Sequence, residues 1–99
     1  MLKKKYLKSK NEFEVTFELE SAEADSVDLV SEANGWEPVK MTKRRKDGVY
    51  YTKVRLPKES QFQFRYLVDG QSWVNDSAAD AYVANEFGSQ NSVVVTSAS

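Results

Sequence analysis

The segment Glu12–Glu20 alternates without a break: Phe13, Val15, Phe17 and Leu19 interleave with Glu12, Glu14, Thr16, Glu18 and Glu20. A period of two puts every apolar side chain on one face of an extended strand and every charge on the other. A helix would scatter the same residues around its circumference, so this stretch admits a half-buried strand and little else. The pattern recurs. Val27-Asp28-Leu29-Val30 starts a second strand after the break at Ser21-Ala22-Glu23-Ala24-Asp25, and Val49 to Leu56 makes a third, with Tyr50, Thr52, Val54 and Leu56 on one face. Gln61 to Asp69 makes a fourth, with Phe62, Phe64, Tyr66 and Val68 inward and Gln63, Arg65 and Leu67 outward. Ser72-Trp73-Val74 and Ser92–Thr96 complete the set. Asp47-Gly48 and Asp69-Gly70 are hairpin-turn dipeptides. Six or seven short strands separated by turns predict an all-β sandwich.

Ninety-nine residues make a single domain, expected over residues 11–96, with a flexible N-terminus at 1–10 and a loose C-terminus at 97–99. Residues 77–87 are expected to form an irregular loop or a short helix of at most one turn, with Ser77 as a cap and Gly88 as the stop. The absence of cysteine removes disulfides and thiolate chemistry and permits a reducing compartment. The absence of histidine removes the commonest general base and metal ligand, so no cofactor or metal is expected. Met1–Lys8 has a basic start with no apolar stretch of signal length after it, and no segment reaches membrane-spanning length. The expected setting is cytoplasmic, with no membrane partner.

Fourteen basic and fifteen acidic residues leave a net charge of -1, which gives no general pull toward nucleic acid. The run Lys43-Arg44-Arg45-Lys46 precedes Asp47-Gly48 and reads as a solvated hairpin tip. Asp69 and Asp76 are close in sequence, but Asp69 belongs to a turn, and nothing opposes the two across a substrate. The chain is therefore expected not to be an enzyme.

Both tryptophans lie in turn chemistry: Trp36 between Asn34-Gly35 and Glu37-Pro38, Trp73 just beyond Asp69-Gly70. An indole on a turn presents a flat apolar face to a partner, and a sugar ring with one face of C–H bonds fits it. The structural alternatives are that Trp36 plugs an end of the sandwich and that Trp73 tucks inward. Arg65 would then be an ordinary solvated strand residue, Asn91 a backbone cap, and Phe87 part of the core.

Three segments together resemble a known family. Val27–Met41, containing Asn34-Gly35-Trp36-Glu37-Pro38, resembles the opening of glycogen-binding modules. Phe62-Gln63-Phe64-Arg65-Tyr66-Leu67-Val68-Asp69-Gly70-Gln71-Ser72-Trp73 is similar to their central segment, and Asn85–Val95 to their closing one. These are the family-48 carbohydrate-binding modules, found before the catalytic barrel of isoamylases and branching enzymes and in the AMP-activated kinase beta subunit. The resemblance implies an immunoglobulin-like sandwich of the early-set type with two antiparallel sheets. It also implies α-1,4-glucan (glycogen, starch or maltooligosaccharide) bound by Trp36 and Trp73, with Arg65, Phe87, Ser89 and Asn91 in support. The partner the resemblance implies besides the glucan is a separate glycogen-metabolism enzyme. The alternative function is a protein-interaction module that docks onto such an enzyme or kinase with a degenerate sugar site. Ala33 stands where the family has an aromatic, Arg65 replaces lysine, Ser72 is an insertion before Trp73, and Ser77 replaces a proline.

Overall fold

A computed structural model describes residues 1–21 and 23–97. Among the described residues, ten strands form two antiparallel sheets packed as a β-sandwich. They are β1 (Leu2–Leu7), β2 (Glu12–Glu20), β3 (Val27–Ser31), β4 (Val39–Lys40), β5 (Thr42–Lys43), β6 (Val49–Pro57), β7 (Ser60–Val68), β8 (Ser72–Val74), β9 (Ala81–Ala84) and β10 (Gln90–Thr96). One sheet has the order β1-β2-β6-β5. The other runs β4-β3-β7-β10-β9, with β8 added alongside β7.

The period-two pattern explains why these sheets face each other. Register pairs Phe13 with Leu56 and Val15 with Val54 on the first sheet, and Leu29 with Tyr66 on the second. Each pair therefore points the same way, and the two apolar faces meet. Phe17 and Phe64 touch edge to face across the gap, with ring centroids 5.0 Å apart. The core comprises these residues with Val27, Tyr50, Met41 and Val94. Its polar atoms are satisfied. Tyr50 donates to the Ala24 carbonyl at 2.7 Å. Tyr66 donates to the Asp76 carboxylate at 2.7 Å, and burial together with that charge pushes the phenol's pKa well above its ordinary value.

Two expectations need correction. Residues 2–7 are not a loose tail but the edge strand β1, paired with β2 from Leu2↔Phe17 to Leu7↔Glu12. Leu2 and Tyr6 pack on the core, and Tyr6 lies 5.1 Å from Phe13. Lys4, between them on the same face, reaches Asp80 at 2.6 Å. The lysines conceal a period-two pattern that becomes useful only once the open edge of β2 supplies backbone partners. Residues 77–87 are likewise neither a continuous loop nor a helix, because Ala81–Ala84 form β9 against β10. Alanine favours helix locally, but the free hydrogen-bonding edge of β10 outweighs that weak preference. Asp80 reinforces the pairing by accepting the Val95 N–H at 2.8 Å. The expected loose C-terminus falls largely on Ala98 and Ser99, which lie outside the described residues.

Candidate functional site

The outward face of the larger sheet carries a cleft of about 850 Å³. Trp36, Arg65, Trp73, Phe87, Ser89 and Asn91 all line it, together with Val30, Gln63, Asn85 and Glu86. Three separate stretches of chain supply these residues, each fixed by its own local chemistry.

The first is the turn after β3. Ser31 caps a short 3-10 turn (Glu32–Asn34) by accepting the Ala33 N–H at 3.0 Å. The turn closes with Gly35 N–H to the Glu32 carbonyl at 3.2 Å and Trp36 N–H to the Ser31 carbonyl at 2.8 Å. This paired closure requires a left-handed residue after the last turn, which Gly35 supplies at φ 65°. Trp36 is also left-handed, at φ 64°. That conformation costs a bulky side chain about 1–3 kcal/mol and is found chiefly where a local role requires it. The ring stays 44% exposed. It is not a plug for the sandwich.

The second stretch is the β7–β8 hairpin. Asp69 and Gly70 both take positive φ, and the Gln71 N–H closes the turn onto the Val68 carbonyl at 3.0 Å. The Asp69 carboxylate accepts the Asp25 and Ser26 N–H groups at 2.7 and 3.0 Å, which ties the hairpin to the loop before β3. Trp73 pairs with Leu67 and so shares the outward face, 49% exposed. Arg65, opposite Val30, lays its guanidinium 5.4 Å from the Trp73 ring centroid. Its Nε is buried with no hydrogen-bond partner, the one such side-chain atom found among the described residues. A buried donor of this kind in a cleft wall is poised for an acceptor on a ligand.

The third stretch is the loop from β9 to β10, organised by Asn85. Its Oδ1 accepts the N–H groups of Phe87 at 2.9 Å and Ser89 at 3.2 Å, and its backbone N–H reaches the Ser89 carbonyl at 2.9 Å. Phe87 is thereby held out at 84% exposure, which excludes a core role. Ser89 Oγ accepts from Asn85 Nδ2 at 3.0 Å. Asn91 donates to Gln63 Oε1 at 2.9 Å and accepts from Asn85 Nδ2 at 3.2 Å.

Sequence reasoning overlooked Gln63, Asn85, Glu86 and Val30 as lining residues. Strand parity does place Gln63 beside Arg65 on the outward row, and an asparagine three residues before Gly88 is a turn signal. Asp69 and Asp76 do not face each other across the cleft. Asp69 serves its turn, and Asp76 is buried, accepting from Tyr66, from the Ala78 N–H at 2.8 Å and from the Met1 ammonium at 2.5 Å. In the basic run, Arg44 bonds Asp47 at 2.8 and 3.0 Å and Glu18 at 2.8 Å, so it braces the hairpin rather than presenting free charge. Among the described residues, no helix is long and apolar enough to cross a membrane.

No protein-family model matches this chain, and none of the curated proteins matches it.

Proposed function

We propose that the cleft binds an α-1,4-glucan without carrying out chemistry on it, in the manner implied by the resemblance to family-48 carbohydrate-binding modules. One observation carries the reading: two half-exposed indoles, Trp36 on a turn and Trp73 on the short strand β8, line the same cleft as a guanidinium whose buried Nε has no acceptor among the described residues. Indole faces bury the C–H face of a glucose ring at little entropic cost and strand no hydroxyl. Arg65 supplies donors for hydroxyl oxygens that the indoles cannot reach. Phe87 adds a third apolar surface, and Ser89 and Asn91 add polar edge contacts. In this reading the protein works in the cytoplasm, bringing glucan to a separate enzyme of glycogen metabolism. A shallow site of this kind corresponds to a dissociation constant between about 1 μM and 1 mM.

Titration with maltoheptaose, β-cyclodextrin and cellohexaose, followed by tryptophan fluorescence, tests the proposal. The two α-linked ligands are expected to change the emission and the flat β-linked chain to leave it unchanged. Equal responses to all three refute α-glucan selectivity, and silence toward all three refutes sugar binding.

A further inference from the structure

We propose that Gln63 is a ligand-contacting residue of this cleft, presenting its Nε2 amide donors beside Arg65 while Asn91 acts as the residue that positions it. The inference rests on the glucan reading and deepens it. The orientation of Asn85 is decided by backbone donors. Two N–H groups, from Phe87 and Ser89, converge on one end of its amide, and only the oxygen accepts hydrogen bonds. Its nitrogen therefore points to Asn91 Oδ1 at 3.2 Å. With that oxygen assigned, Asn91 Nδ2 donates to Gln63 Oε1 at 2.9 Å. The polarity passes along the chain, Asn85 to Asn91 to Gln63, with each amide oriented by the one before.

Two consequences follow. Asn91 spends a donor and an acceptor inside the protein, so much of its hydrogen-bonding capacity goes to holding its neighbour. Gln63 is the end of the relay: its oxygen is engaged, and its two Nε2 hydrogens have no partner among the described residues. Its backbone is equally fixed, paired with Val93 and bonded from N–H to Glu32 Oε1 at 3.0 Å. Gln63 and Arg65 are alternate residues of β7, on the same outward face and about 6–7 Å apart along the strand. The middle of the cleft is thus a row of donors without acceptors. It selects a ligand that offers oxygen lone pairs to the strand while its apolar faces lie on the indoles.

Side-chain amide spectra of ¹⁵N-labelled protein at saturating maltoheptaose provide the test, with the Gln63 pair assigned by its absence in Gln63→Glu. That variant keeps the acceptor for Asn91 and removes both donors. The Gln63 pair is expected to shift on ligand addition by more than the Asn85 pair, which stays in the relay. Gln63→Glu is expected to melt like the parent yet bind about five- to tenfold more weakly. In Asn91→Ala the Gln63 pair is expected to lose most of its shift at saturation, because the amide is no longer anchored. A Gln63 pair that stays put while the Trp36 and Trp73 indole N–H signals move overturns the inference and leaves the glucan reading standing. Unchanged affinity in Gln63→Glu does the same, and a full shift in Asn91→Ala overturns the positioning role. Unmoved indole signals refute the glucan reading itself, and the inference falls with it.

Discussion

Truncating Trp73 separates a binding surface from a structural one. A tryptophan side chain offers roughly 200 Å² of surface, and 49% of this residue is exposed. A glucose ring stacked on the open face would cover about 60–80 Å² of it, contributing roughly 1.5–2 kcal/mol at about 25 cal/mol per Å². Trp73→Ala is therefore expected to weaken maltoheptaose binding by about 1.5–2 kcal/mol, or roughly 10- to 30-fold. The half of the side chain that packs on the protein, about 100 Å², sets the folding cost at about 2–2.5 kcal/mol, the Arg65 guanidinium 5.4 Å from the ring centroid being part of that packed side, short of the roughly 3–5 kcal/mol typical of a core aromatic. Calorimetric titration gives the first quantity, and a thermal melt gives the second. Parent-like affinity in Trp73→Ala refutes the stacking argument. So does a core-sized loss of stability with affinity per folded molecule preserved.

Phe87→Ala is expected to leave the folding free energy within about 0.5 kcal/mol of the parent's, because the ring is 84% exposed. It should weaken glucan binding by about 1 kcal/mol; unchanged titration curves refute a role for the ring. Asp76→Ala should destabilise the sandwich by about 3–5 kcal/mol, since it leaves the buried Tyr66 hydroxyl only its long 3.4 Å bond to the Glu18 carbonyl and leaves the Ala78 N–H without its acceptor. A melting temperature close to the parent's counts against that assignment. For pH, the hydrogen bond from Arg44, helped by the Val49 N–H, lowers Asp47 to about 2. Burial raises the Glu18 pKa, but Arg44 and Lys3 outweigh it and leave it lowered. Both folded-state values lie below the unfolded ones, so this stabilisation is complete above the ordinary carboxylate range and lost as pH falls through about 4 to 2. Melts across that range should fall less steeply in Arg44→Gln, and equal slopes refute the linkage.

The sheets were legible because a two-residue period carries its own geometry: Phe13, Val15 and Phe17 must share a face whatever they pack against. The same parity placed Arg65 outward. The Asn-Gly turn beside Trp36 and the Asp-Gly turn that leads into the strand of Trp73 were also readable, since positive φ is a local requirement that few residues meet at low cost. β1 and β9 were not, because neither is stable as a strand alone. Leu2–Leu7 and Ala81–Ala84 become strands only where β2 and β10 offer an open edge, and that edge is a property of the assembled sandwich. The relay through Asn85, Asn91 and Gln63 lies similarly beyond the sequence. Its members are up to 28 positions apart, and an amide's orientation follows from which donors surround it. Residue types and turns follow from local physics. The cleft shared by three segments, and the choice of which polar atoms remain free to meet a ligand, come from packing that brings distant segments together.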